Sequence, residues 1–285
     1  MQKIWVCGAR GQIGQAVNDV VDKLEFEMLD TDVDDLDVTD TDEVLRFGEM
    51  NRPDIIINCS GMTDISSCEE NPSQAFKVNA LGARNLAIVA AKMQAKMVQL
   101  STDDVFDGKS TEPYTEFDIT NPGTVYGKSK LAGENYVKEF TTKHFIVRST
   151  WVYGKGQNFI KGFLKKVDAG EQLSIASDQF GSPTSANELA RFLLHLVHTS
   201  EYGTYHATNK GVCSRYVFAQ EILKMTGKTA SMQPVPTVMS DFSKVRPAYA
   251  VLDNFIMSMV PIYDFPDWQD SLREYLEERG LYHAE

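Results

Sequence analysis

Lys3-Ile4-Trp5-Val6-Cys7-Gly8-Ala9-Arg10-Gly11-Gln12-Ile13-Gly14 is the stretch that decides the fold. Residues 3–7, apolar after Lys3, make a run of strand length, and glycines at 8, 11 and 14 follow at once. Ile13, Ala16, Val17, Val20, Val21 and Leu24 then recur at helical spacing, which predicts a helix over Gln12–Leu24. At such a strand–turn–helix junction glycine lets the backbone turn tightly and approach an anion. The new helix offers unpaired N–H groups and the positive end of its dipole. The G-x-x-G-x-x-G spacing in this context predicts a dinucleotide pyrophosphate held by Gly8, Arg10, Gly11, Gln12, Ile13 and Gly14.

Working outward, short apolar runs alternate with helical patterns. Strands are expected at Phe26–Leu29, Asp54–Cys59, Met97–Ser101 and Phe145–Arg148. Helices are expected at Thr41–Asn51, Ser73–Met93 and Val125–Phe140, the first of them stopped before Pro53. Runs such as Ile55-Ile56-Ile57 are apolar on both faces, as a central parallel strand requires. The pattern is α/β, a doubly wound parallel sheet of the Rossmann kind, over residues 1–150. Beyond residue 150 glycines and prolines break the rhythm, among them Gly154, Gly181, Pro183, Pro234 and Pro247. Helices are expected at Phe159–Val167, Ser185–His198, Arg215–Met225 and Trp268–Arg279. Residues 151–285 therefore read as a smaller mixed α/β substrate lobe, partly interwoven, with some segments returning to the first domain.

The chain of 285 residues has 28 basic and 40 acidic side chains, a formal net charge of −12. That balance argues against a nucleic-acid partner. No apolar run approaches the roughly 20 residues that span a bilayer, so no membrane association is expected. The four cysteines form no C-x-x-C pair, which fits free thiols in the cytoplasm. His195 and His198 share a helix face, but a metal needs a third ligand, and none is signalled. Residues 30–43 hold eight acidic residues and no basic one. An EF-hand is rejected there, because Asp35 stands at the glycine position and Thr41 at that of the bidentate glutamate. Asp30, ending the second strand, suits a ribose diol and repels a 2′-phosphate, whereas Arg10 suits a 2′-phosphate. The cofactor is thus NADH or NADPH, with NADH favoured. Asp37 is the acidic residue placed to reach the adenine edge.

Tyr126-Gly127-Lys128-Ser129-Lys130 carries the chemistry. On a helix, Tyr126 and Lys130 share a face one turn apart. An ammonium beside a phenol stabilises the phenolate and readies the tyrosine for proton transfer. Thr102, at the carboxyl end of the fourth strand, faces the cofactor crevice and offers a hydroxyl to a carbonyl oxygen. Capping of a turn is the plainer role for that threonine. Together Thr102, Tyr126 and Lys130 suggest carbonyl reduction by a nicotinamide cofactor, with Tyr126 and Lys130 also gripping it.

Over nearly its whole length the chain resembles the dTDP-4-dehydrorhamnose reductase family, within the extended short-chain dehydrogenases/reductases. The stretches that carry the resemblance are GARGQIG at 8–14, RPDIIINC at 52–59, NALGARNLA at 79–87 and STDDVFDG at 101–108. EPYTEFDITNPGTVYGKSKLAGE at 112–134, VRSTWVYG at 147–154, DQFGSPT at 178–184, GTYHATNKG at 203–211 and RPAYAVLDN at 246–254 continue it in order. It implies reduction of the 4-keto group of dTDP-4-dehydro-L-rhamnose to dTDP-L-rhamnose. It also implies Gly11, Gln12 and Ile13 at the pyrophosphate, and Asp30, Asp37 and Val38 around the adenosine. Ser60, Gly61 and Met62 then line the nicotinamide, and Asp103 and Trp151 touch the sugar nucleotide. Arg246 suits the diphosphate.

Three departures from the family pattern fall near the expected nicotinamide and sugar: Ser60-Gly61-Met62, Asp104 in place of a tyrosine, and Ile65-Ser66-Ser67-Cys68-Glu69. They motivate an alternative, a related reductase or epimerase acting on another nucleotide sugar. A non-catalytic alternative is a nucleotide-binding regulatory subunit resembling the methionine adenosyltransferase beta subunit; the intact Thr102, Tyr126 and Lys130 argue against it. Some relatives bind a metal at a dimer interface. Gln15 stands where one ligand would lie, so no metal is expected. The oligomeric state is expected to be a monomer or homodimer.

Overall fold

In the computed structural model, residues 1–239 and 247–283 are described. Five of the six strands of the main sheet come from the first half: β1 (Gln2–Cys7), β2 (Phe26–Thr31), β3 (Ile55–Asn58), β4 (Lys96–Thr102) and β5 (His144–Ser149). The sixth, Gly203–His206, pairs with β5. All neighbours are parallel, in the order (203–206)-β5-β4-β3-β1-β2. From β1 the chain passes to β2 on one side and then returns past β1 to β3 on the other, so the crevice at the carboxyl ends of β1 and β3 is the topological switch point.

Alternation along the strands explains the continuous apolar runs. Ile4, Val6, Ile55, Ile57, Val98 and Leu100 bury one face of the sheet, packed with residues of helix α1 (Gln12–Val20) and the helix Ala186–Val197. Trp5, Cys7, Ile56, Met97 and Ile146 bury the other, packed with helix α2 (Thr41–Asn51) and the helix Ala83–Met93. The central strand residues therefore meet a helix whichever way they point.

Most helices lie where the periodicity predicts. Helix α2 and Val125–Phe140 match residue for residue, for a local reason in each case. Asp40 caps α2 by accepting the Glu43 N–H, and Thr124 caps Val125–Phe140 by accepting the Gly127 N–H. Helix α1 ends at Val20, four residues short of the expected Leu24, because Val21 leaves helical geometry. The expected helix over 73–93 is present, but Lys77–Gly82 winds as a π-helical turn within it. Strand β2 continues two residues past Leu29, so Asp30 lies within the strand and does not end it.

The second half is not a separate block. Residues 186–206 complete the layer and the edge of the main sheet. What remains has its own core: Tyr153, Ile160, Phe163, Leu173, Ile175, Phe218, Ile222, Trp268 and Leu272. The helices Phe159–Asp168, Arg215–Thr226 and Trp268–Glu277 surround the paired strands Leu173–Ala176 and Met232–Val235. No described helix is long and apolar enough to cross a membrane.

Candidate active site

A cavity of about 750 Å³ opens at the switch point, between the carboxyl ends of β1, β3 and β4 and the second core. Gly11, Gln12, Ile13, Ser60, Gly61, Thr102, Asp103, Tyr126, Lys130 and Trp151 all line it. Of the expected site residues, these are the ones the fold brings together.

The glycine turn is built for close approach. Gly8 has φ +76°, and a Cβ there would lie 2.7 Å from the Ser60 nitrogen, so the loop after β1 packs directly on the loop after β3. Its Gly8 and Ala9 N–H groups donate to the Thr31 carbonyl at 2.8 and 3.1 Å. No side chain caps α1 at Gly11. The Gln12 Oε1, beside this helix start, is buried without a hydrogen-bond partner in the described residues. The uncapped helix end fits an anionic ligand such as a pyrophosphate, and the orphaned Gln12 Oε1, an acceptor, fits a donor such as a ribose hydroxyl.

The loop after β3 is held from below. Asn58 donates to Gln99 at 2.8 Å and accepts from the Ser60 N–H and Oγ. Buried Asn79 accepts from the Met62 N–H at 2.8 Å and donates to the Met62 carbonyl and Ser129 Oγ. One amide thus fixes the Gly61–Met62 loop and the helix that carries Tyr126. The Met62 side chain does not line the cavity; it packs on the small cluster of Ile65, Cys68, Ala75 and Tyr126.

Thr102 ends β4, and Tyr126 and Lys130 stand in the first turns of Val125–Phe140. A close approach registers the two elements: a Cβ on Gly127 would lie 2.0 Å from the Asp104 carbonyl oxygen. Thr102 plays both roles considered for it. Its Oγ1 accepts from the Asp104 N–H at 3.2 Å, capping the turn, and donates to Asp103 Oδ1 at 2.9 Å while lining the cavity. Lys130 is buried, and burial pulls its ammonium down to about 8, against the opposing pull of Glu134. Burial likewise pushes the Cys59 thiol up to about 12, against the nearby Lys130.

Trp151 forms the far wall. Its φ is +48°, a left-handed conformation strained for a bulky residue, and Arg215 stacks on its ring at 3.6 Å. Arg215, Gln157, Asn158 and Gln179 also line the cavity. Local pattern did not single them out, because they reach the site only when the second core packs against the sheet. Arg246 lies outside the described residues.

The region expected to take the adenosine differs from expectation at Arg10. Arg10 is exposed, and its guanidinium is engaged by Asp34 and Asp35 at 2.6 and 2.7 Å while its backbone N–H donates to Asp32. Asp34 and Asp35 hold its charge above the ordinary arginine range. The acidic stretch is thus a clamp on the glycine loop as well as a helix entry. Asp30 is exposed, and Asp37 is exposed with Oδ1 accepting the Thr39 N–H. Val38 is buried, and its carbonyl accepts from Asn85. Gly8, Gly14, Asp30, Asp37 and Val38 shape or flank the loop without lining the cavity.

The family model of the RmlD substrate binding domain matches residues 1–280. The spore coat polysaccharide biosynthesis protein SpsK of Bacillus subtilis is 35% identical over 98% of this chain and 99% of its own. The crystal structure of a dTDP-4-dehydrorhamnose reductase from Clostridium acetobutylicum superposes with a TM-score of 0.95 at 40% identity, covering 98% of this chain and 100% of the other. That of Bacillus anthracis dTDP-4-dehydrorhamnose reductase, in complex with NADP, superposes with a TM-score of 0.94 at 36% identity, covering 98% and 100%.

Proposed function

The chain belongs to the dTDP-4-dehydrorhamnose reductase family, and on that premise we propose that it reduces the 4-keto group of dTDP-4-dehydro-L-rhamnose with NADH or NADPH, giving dTDP-L-rhamnose. The observation that carries the reading is convergence. Thr102, Tyr126 and Lys130, from a strand end and a helix, open on one cavity with the glycine turn and the Ser60–Gly61 loop.

The residues present fit a dinucleotide. The uncapped start of α1, with the Gln12 backbone N–H, would hold the pyrophosphate, and Ser60 and Gly61 would support the nicotinamide end. When bound, the reduced nicotinamide supplies hydride to the carbonyl carbon. Tyr126 gives its Oη proton to the carbonyl oxygen. The Lys130 ammonium stabilises the phenolate left behind, which lowers the barrier to that transfer. The Thr102 hydroxyl turns from Asp103 to the same oxygen and steadies its growing negative charge. Trp151 offers a flat apolar wall to the deoxysugar.

The finer assignments belong to this proposal. Residues 1–150 hold the cofactor, and the part of 151–285 outside 186–206 supplies the sugar-nucleotide side. NADH is preferred to NADPH, since Arg10 is occupied by two carboxylates. Four free cysteines, three of them buried, support a reducing cytoplasm. A monomer or homodimer is the expected state. The test is a panel of dTDP-, UDP- and GDP-linked 4-keto-6-deoxy sugars against NADH and NADPH, followed by loss of reduced-nicotinamide absorbance. Turnover of the dTDP substrate above the others supports the reading; a clear preference for another nucleotide sinks it.

A further inference from the structure

One buried carboxylate beside the catalytic trio has no part in the reduction just described. Glu134 is fully buried and lies one turn beyond Lys130, as Lys130 lies one turn beyond Tyr126. Its Oε1 accepts from Ser101 Oγ at 2.6 Å and Arg148 Nε at 2.9 Å, and its Oε2 accepts from Arg148 Nη2 at 2.8 Å. Ser101 immediately precedes Thr102 on β4. Arg148, on β5, is the register partner of Ser101. The carboxylate thus reaches from the helix of Tyr126 and Lys130 to the strand of Thr102 and the strand beside it.

We infer that Glu134 is a positioning residue for this reaction: its carboxylate ties the Tyr126–Lys130 helix to the Thr102 strand and supplies the negative charge that Lys130 meets inside the protein. The inference rests on the proposed reduction, because it assigns Glu134 a part in that same site. A hydrophobic pair of similar volume commonly serves stability as well as a buried ion pair does. One feature distinguishes this arrangement from a merely structural pair: the three acceptor contacts go to Ser101, the residue before Thr102, and to Arg148, the register partner of Ser101.

The charged and titratable groups around Lys130 bear on the same point. On its own helix stand Tyr126 and Glu134, with Lys138 reaching the outer side of Glu134 at 3.7 Å. Cys59 faces it from the end of β3. Behind Glu134 lie Arg148 on β5 and His206 on the sixth strand, whose imidazole burial and Arg148 hold neutral, pulled down to about 3. Asp103 and Asp104, on the turn after β4 that packs against this helix, are the other carboxyl groups nearby, and Glu134 is the one that acts on Lys130 from its own helix. Removing its charge takes away an anion one helical turn from Lys130, and the ammonium then loses its proton at lower pH.

The test uses Glu134→Gln, Glu134→Asp and the charge-free pair Glu134→Leu/Arg148→Met in the full chain. The pH profile of kcat/KM is read with the dTDP substrate, and the Lys130 amine is titrated by NMR after 15N-lysine labelling. Glu134→Gln is expected to lower kcat about 10- to 100-fold with KM within about threefold. It should also move both the alkaline limb and the NMR titration of Lys130 about one pH unit lower. Glu134→Asp should recover the limb. The Leu/Met pair should recover the melting temperature but neither kcat nor the limb, which guards against a variant that only misfolds. The inference is overturned if Glu134→Gln leaves the Lys130 titration in place, or if the Leu/Met pair restores kcat. If the titration moves while wild type reduces none of the keto sugars, the proposed function fails and the charge coupling stands.

Discussion

The two ends of the cleft are built on different physical terms. At the chemistry end, Thr102, Tyr126 and Lys130 are buried and backed by hydrogen-bonded amides and a buried ion pair. At the end proposed to take the adenosine, Arg10, Asp34 and Asp35 meet on the surface, where an ion pair is worth little because water screens it. The comparison teaches where function is robust and where it can be tuned. A buried group has no water to replace a lost partner, so a change there costs rate or stability outright. A surface pair shifts a preference.

The largest expected effect is Tyr126→Phe. Removing the proton donor should lower kcat by about 10³-fold, within the range for a general acid, while NADH binding followed by fluorescence stays within about threefold. Retained turnover would show that the chemistry end is not where Tyr126 places it.

Next is Lys130→Met. Activity should fall about 100-fold or more, yet the ligand-free protein should become more stable at pH 7. The sign follows from the depressed value near 8. Between about pH 8 and the unfolded value near 10.4 the unfolded chain binds the proton more readily than the folded one. The cost of burying the ammonium is therefore full below pH 8 and fades as pH rises toward 10.4. The gain should be about 2–3 kcal/mol by urea unfolding at pH 7 and should shrink above pH 8. A loss of stability at pH 7 would break the contrast between the two ends.

Asn79→Ala should cost about 1–3 kcal/mol, the penalty of stranding the Met62 N–H and its neighbours. It should also lower kcat about tenfold by releasing the Gly61–Met62 loop. Urea unfolding and steady-state rates check both.

The smallest effect is expected on the surface. Asp34→Asn with Asp35→Asn frees Arg10 and should raise the NADPH-to-NADH ratio of kcat/KM about five- to tenfold. The shift should shrink in high salt, and adding Arg10→Ala should cancel it. A ratio that does not move would remove Arg10 from cofactor choice.

Much of this was legible from local pattern. The alternation of strands and helices, the glycine turn, and the i, i+4 spacing of Tyr126 and Lys130 each depend on neighbours within a few residues. The engagement of Arg10 was not legible, because its partners lie 24 and 25 residues away and pair with it only once β2 docks beside β1. Arg215 and Asn158 escaped notice for the same reason: they belong to a second core whose approach to the sheet has no local signature. Nor does an isolated glutamate at position 134 differ in pattern from a solvated one.

The layer architecture and the trio proposed to react were written in local sequence, since periodicity and short-range spacing encode which faces are buried and which side chains share a helix turn. Only the tertiary structure decided which charges are spent on one another. Arg10 is held by Asp34 and Asp35, Glu134 joins Arg148 and Ser101, and residues 186–206 return to complete the first sheet. Such pairings depend on distance in space, and distance is set by packing between segments far apart in the chain.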